Sequence, residues 1–280
     1  MKDMLQPPDI EPQRKAAPAA ERGAIAVSLV VPARDEAESV PVLAGEIEAV
    51  MDGLGLPWEC FWVDDGSRDG TLLELKRLHA RRREHQYLSF DRSYGQSAAL
   101  AHAFRRVRGE AIVTLDADLQ NDPRDIPTLL GALRRGAADM VNGFRAVRHD
   151  NLIRRISSRI ANGFRNWVLR ESVRDVGCSL RCVRAACVRD LPYFHGMHRF
   201  LPKLVGMRGY RIMEIPVGHR PRRYGTAKYG IGNRMWVGLL DTLGVRWLEA
   251  RYRAPQVQCS SRDEVAGEHP ATQRDEVAVG

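Results

Sequence analysis

Ala111-Ile112-Val113-Thr114-Leu115-Asp116-Ala117-Asp118-Leu119-Gln120 is an apolar, strand-forming run that ends abruptly in two carboxylates one residue apart. Side chains two apart on an extended strand share a face. Asp116 and Asp118 are therefore expected to reach one hard cation, with Gln120 as a further oxygen donor. A cation held in this way usually serves a phosphate. The competing explanation is an acidic loop that solvates a turn and caps the next helix.

Upstream segments weigh against a mere loop. Ile25 to Val31 reads as a strand stopped by Pro32, and an amphipathic stretch follows to about Leu54. Trp58 to Val63 is the next strand, and the turn-rich Asp64-Asp65-Gly66-Ser67-Arg68-Asp69-Gly70-Thr71 feeds a helix through Leu72, Leu75 and Leu78. Tyr87–Phe90 and Asp139–Phe144 read as further strands, with helices over Ser97–Val107 and Ile126–Leu133. Strands alternating with helices predict an α/β fold, a mostly parallel central sheet with helices on both faces. Ligands bind such sheets outside the carboxyl ends of the strands. Asp64-Asp65 and Asp116-Ala117-Asp118 both follow their strands and so fall on that edge. No GxGxxG or GxxxxGK[ST] glycine cradle is present, so a metal bridging phosphates fits better.

The chain has 280 residues, 44% hydrophobic and 28% charged, which suits one catalytic domain with tails. A formal net charge of +8 implies an anionic partner: nucleic acid, a phosphorylated small molecule or an acidic lipid surface. No aromatic-basic RNA-binding pattern and no zinc finger accompany the charge, so no specific nucleic-acid partner is expected. Five cysteines, at 60, 178, 182, 187 and 259, lack paired CxxC spacing and read as thiols of a reducing compartment. Residues 1–24 read as a disordered leader without a secretory apolar core, residues 254–280 as a disordered tail, and nothing approaches the length of a bilayer span. From Asn151 onward Arg154, Arg155, Arg159 and Arg165 alternate with Ile153, Ile156, Ile160 and Phe164 at helical spacing. Residues 231–253 carry Trp236, Leu240, Leu243 and Trp247 at helical offsets, with Arg246, Arg251 and Arg253 near the end. They are expected to form an amphipathic extension that lies on a membrane interface or packs on the core or a second subunit. His102, His198 and His219 read as structural.

Four segments together resemble glycosyltransferase family 2, in particular its polyprenyl-phosphate branch: Val31-Pro32-Ala33-Arg34-Asp35-Glu36, Asp64 to Thr71, Asp116-Ala117-Asp118-Leu119-Gln120 with Pro123, and Arg222-Arg223-Tyr224-Gly225-Thr226-Ala227-Lys228-Tyr229. The resemblance runs from about Val27 to Tyr229 and implies a GT-A type nucleotide-sugar-binding fold over residues 25–230. It implies that Pro32, Arg34, Glu36, Asp64, Asp65 and Asp116 line the nucleotide pocket, with Asp65 on the base. By the same likeness Asp116, Asp118 and Gln120 hold Mg²⁺ or Mn²⁺ against the diphosphate. Arg145, Arg154, Ser158, Arg222 and Lys228 match positions that grip the lipid phosphate or close over the donor, the first four being the implied acceptor-phosphate set. Asp118, Gln120, Arg145, Arg222 and Lys228 form the implied catalytic set. Three departures stand out: Asp35 where Asn is common, Ala227 where Ser is usual, and no membrane-spanning helices after the catalytic segment.

The implied reaction moves a sugar from GDP-mannose or a UDP-sugar to a polyprenyl phosphate, with inversion, on the cytoplasmic face of an anionic membrane to which the protein is peripheral. A phosphate acceptor is already anionic and needs no general base, whereas arginine forks suit its recognition. The alternatives are an enzyme of the same fold with a non-lipid acceptor, a processive synthase, and a DxD phosphohydrolase. The synthase signature QxxRW has Leu243 in place of its Gln, and the phosphohydrolase leaves Asp64-Asp65-Gly66-Ser67 unexplained.

Overall fold

The computed structural model describes residues 25–146, 162–224 and 234–253. The expected alternation is present: β1 (Val27–Ala33), α1 (Ser39–Leu54), β2 (Trp58–Asp64), α2 (Thr71–Arg81), β3 (His85–Ser89), α3 (Gln96–Phe104), β4 (Ala111–Thr114), α4 (Ile126–Arg134) and β5 (Met140–Arg145). A helix, α5, covers 162–169. It is followed by β6 (Arg181–Arg184), α6 (Ala185–Val188), α7 (Leu201–Gly206), β7 (Ile212–Val217) and α8 (Arg234–Arg251).

The strands form one sheet in the order β3-β2-β1-β4-β6-β5-β7. Every pairing is parallel except those of β6, which runs antiparallel to β4 and β5. Strand alternation splits the core between the two faces. Val27, Leu29, Val31 and Ala33 of β1 face α1, α2 and α4, while Val30 faces α3, α6, α7 and α8. Helices on both faces of a mostly parallel sheet are what the alternation predicted.

One expectation needs correction, and two strands had no expectation at all. Pro32 does not end its strand: it pairs in register with Val63, and β1 continues to Ala33. The missing N–H is harmless because β4 leaves the ladder at the level of Val30. The strands β6 and β7 carried no readable pattern. β6 is four residues long with arginine at each end, and β7 is an edge strand whose Pro216 is tolerated there.

The helix α8 joins the core through Val245 and through ion pairs from Arg199 to Asp241 and from Lys203 to Glu249, both at 2.6 Å. Its outer face is the apolar one, with Leu240 68% and Trp247 61% exposed alongside Val237 and Leu243. The Trp236 side chain lies outside the described set, as do residues 1–24 and 254–280. No described helix is long and apolar enough to cross a membrane. Cys60, Cys178, Cys182 and Cys187 are buried free thiols.

Candidate active site

The registers Ala33 to Asp64 and Val30 to Thr114 bring the carboxyl ends of β2, β1 and β4 to one edge, with both acidic loops on it. The pairing of Asp116 with Asp118 comes about differently from the expected strand alternation. β4 stops at Thr114, and 117–119 form a turn in which Leu119 adopts a left-handed φ of 62°. That conformation costs a leucine about 1–2 kcal/mol. Burial of Leu119 in the core offsets it, together with two local clamps. Gln120 N–H donates to Asp118 Oδ1 at 3.2 Å, and Asn121 Oδ1 accepts from Asp116 N at 3.4 Å and from Ser179 Oγ at 2.7 Å.

A cleft of about 150 Å³ opens above this turn, lined by Pro32, Ala33, Arg34, Glu36, Asp65, Gln96, Asp116, Ala117, Asp118 and Arg222. Gln96 Nε2 donates to Asp116 Oδ1 at 2.7 Å, and Arg222 donates to Asp118 Oδ2 at 2.6 Å while standing 3.6 Å from Glu36. Burial, then the neighbouring charge of Asp118, pushes the Asp116 carboxyl up to about 6. Asp65 accepts from Ser93 Oγ at 2.7 Å and from the backbone N–H groups of Tyr94 and Gly95 at 2.7 and 3.1 Å. It thereby fixes the 93–95 loop that carries Gln96. Arg34 donates to the same Ser93 hydroxyl at 3.0 Å.

On the other side of Asp116 lies a cavity of about 620 Å³, sharing Pro32, Gln96 and Asp116 with the cleft. Its walls are the start of α3, the 176–181 segment, the 195–199 segment and Val237 of α8. Ser97 Oγ and His198 Nδ1 share a hydrogen bond of 2.8 Å across it.

Three expected site residues have other places. Asp64 is buried and lines neither space. It accepts from Ser67 N at 3.0 Å, from Ser67 Oγ and from Ser89 Oγ at 2.7 Å, so it shapes the loop leading to Asp65. Gln120 also lines neither space and acts through its backbone, accepting from Arg220 N at 2.9 Å. Arg145 is paired bidentately with Asp175 at 2.6 and 2.9 Å, clamping the 175–177 turn behind the cavity. Arg154, Ser158 and Lys228 lie outside the described residues. The sequence reading missed Arg181 altogether and took His198 as merely structural; both line the large cavity.

The carboxylates suit a hard divalent cation. They are two oxygen donors on one turn facing a cleft, and no described group of three or more His, Cys, Asp or Glu forms a closed cage. An Mg²⁺-type ion bound by one or two carboxylates takes its remaining ligands from water and substrate phosphates.

The sheet and the acidic turn on its carboxyl edge define a GT-A glycosyltransferase. The chain belongs to Glycosyl transferase family 2, whose sequence profile matches residues 28–186. It is 37% identical over 232 residues to the dodecaprenyl-phosphate galacturonate synthase of Rhizobium johnstonii, covering 81% of this chain and 68% of that protein. It is 36% identical to the undecaprenyl-phosphate 4-deoxy-4-formamido-L-arabinose transferase of Edwardsiella ictaluri, covering 73% of this chain and 63% of that one. The chain thus spans about two thirds of the length of these relatives. Among solved structures, glucosyl-3-phosphoglycerate synthase from Mycobacterium tuberculosis with Mn²⁺, UDP and phosphoglyceric acid superposes with a TM-score of 0.60 at 18% identity. That match covers 83% of this chain and 81% of the other, a likeness of fold. Family membership removes the phosphohydrolase reading of Asp116 and Asp118.

Proposed function

We propose that this protein transfers a sugar from a nucleotide-sugar donor to a polyprenyl phosphate at the cytoplasmic face of a membrane, as a peripheral protein. The observation that carries the reading is the arrangement of two spaces around Asp116. A narrow cleft holds the paired carboxylates, and a wider cavity runs from the same residue to α8, whose outer face is apolar. The relatives named for polyprenyl-phosphate sugar products support the acceptor class.

In this reading the nucleotide occupies the cleft beside Arg34, Glu36 and Asp65. Asp116 and Asp118 would hold Mg²⁺ or Mn²⁺, which would supply positive charge against the departing diphosphate. An oxygen of the acceptor phosphate forms a bond to the anomeric carbon as the bond from that carbon to the diphosphate oxygen breaks, and the electron pair leaves with the nucleoside diphosphate. No proton has to be removed from the acceptor, so no general base is required. A single displacement inverts the anomeric centre. Arg222 supplies positive charge between two anionic substrates, offsetting their repulsion.

The test is incubation of the protein with UDP-galacturonate, UDP-glucose, GDP-mannose and related donors, Mn²⁺ or Mg²⁺, and undecaprenyl phosphate. Nucleoside diphosphate release that depends on the lipid and disappears in Asp118→Asn is the expected result. Release that is indifferent to the lipid, or a product with retained configuration, overturns the corresponding part.

A further inference from the structure

We infer that Arg181, together with the N-terminal turn of α3, forms the anion seat of the large cavity and receives the phosphate monoester of the acceptor. The inference rests on the transferase reading above and adds to it a residue outside the four motifs.

Arg181 owes its position to the reversal of β6. Because that strand runs antiparallel to β4, its first residue pairs with Thr114, the last of β4, and so arrives at the carboxyl edge. The residue is only 4% exposed and forms part of the cavity wall. Two of its nitrogens donate to backbone carbonyls, of His198 at 2.7 Å and Val176 at 3.0 Å, while Nε is buried without a partner.

Among the described residues no carboxylate forms an ion pair with it; Asp116 and Asp175 act on its charge only at longer range, and Asp175 is committed to Arg145. A buried guanidinium with neutral hydrogen-bond partners is costly unless an anion joins it. The same cavity is bordered by Gly95, Gln96 and Ser97, the entry to the nine-residue α3, where helix dipole and backbone N–H groups favour negative charge. Two independent features of the wall thus select an anion.

The donor diphosphate is the less suitable occupant, because Asp118, which with Asp116 would hold its cation, lines the cleft and not the cavity. The cavity instead extends to Val237, on the α8 face that presents Leu240 and Trp247 outward. A phosphate on an apolar tail entering along α8 would meet Arg181 next to Asp116. Soluble phosphate monoesters share the head-group chemistry and differ only in lacking the tail.

The experiment measures binding of farnesyl phosphate, 3-phosphoglycerate and Mn²⁺-UDP by calorimetry to the wild-type protein and to Arg181→Gln, Arg181→Lys and Ser97→Asp. Ser97→Asp puts a carboxylate in the cavity and leaves Arg181 in place, which keeps the test alive should the Arg181 variants not fold. Arg181→Gln and Ser97→Asp are expected to weaken farnesyl phosphate roughly ten- to a hundredfold, with Arg181→Lys in between and Mn²⁺-UDP within about twofold of wild type. Unchanged farnesyl phosphate affinity in folded variants overturns the assignment, and so does loss of Mn²⁺-UDP in its place, which would give Arg181 to the donor. Wild-type protein that binds 3-phosphoglycerate but not farnesyl phosphate, with the same sensitivity to Arg181, upholds the anion seat and refutes the lipid acceptor.

Discussion

Arg222 and Asp118 are hydrogen-bonded at 2.6 Å, so the second carboxylate of the acidic turn is neutralised by a cation of the protein itself. Any divalent ion that binds Asp118 competes with this guanidinium. Replacing Arg222 by Gln is expected to tighten Mn²⁺ binding in the absence of nucleotide by severalfold while lowering turnover. Calorimetric or paramagnetic Mn²⁺ titration beside nucleotide-release kinetics separates the two effects. Weaker Mn²⁺ binding in the variant would show that the pair organises the turn instead of competing for it.

In the proposed reaction the turn carboxylates act on the leaving group. Asp118→Asn keeps the shape and removes the charge, so kcat is expected to fall on the order of a hundred- to a thousandfold. Thermal stability measured with the divalent ion chelated should change little, because relief of the repulsion on Asp116 is opposed by loss of the ion pair with Arg222. A variant with near wild-type turnover would remove Asp118 from the chemistry.

Asp175 and Arg145 form a mostly buried bidentate pair. Asp175→Asn removes the bidentate carboxylate from a mostly buried guanidinium, at a cost of about 3 kcal/mol. Denaturant unfolding measures that cost directly. A loss of turnover with no loss of stability would assign the pair to substrate instead of to the 175–177 turn.

His85 predicts a pH dependence of stability. It is buried beside Trp58, accepts from Trp62 Nε1 at 3.1 Å and donates Nε2–H to Glu48 at 2.8 Å. Burial holds its pKa below 6.5 despite Glu48, and the nearby Arg81 and Arg82 push the same way. The unfolded chain therefore takes up the proton first, and stability is full above about pH 6.5 and declines as pH falls toward the lower folded value. Denaturation midpoints between pH 8 and pH 5.5 should show the decline, and His85→Gln should flatten this component.

The outer face of α8 makes the membrane reading testable. Leu240→Asp combined with Trp247→Asp is expected to lower partitioning onto anionic vesicles on the order of a hundredfold, since each large apolar side chain contributes roughly 1.5–3 kcal/mol on burial. Gel filtration of the same variant distinguishes a lost lipid surface from a lost subunit contact.

Much of this architecture was readable before any coordinates. Periodicity located β1 to β5 and α1 to α4, and the acidic loops fell on the edge where they stand, because those elements follow local rules of burial and alternation. The reading failed where the outcome depends on distant chain. Asp116 and Asp118 converge through the left-handed Leu119 and the clamp of Asn121 by Ser179, which no local pattern announces. Arg181 belongs to none of the motifs, and only its pairing with Thr114 reveals where it sits. Arg145 looked available for phosphate because Asp175, thirty residues on, was not visible as its partner.

The reversed strand β6 also divides the labour along the chain. Apart from Arg222, the cleft is built by residues 32–118, whereas much of the cavity wall comes from 176–199 and Val237. Substitutions in the later stretch therefore alter the large cavity while leaving most of the cleft intact, so under the proposed reading exchanging that stretch between family members is expected to change the acceptor and leave the donor unchanged.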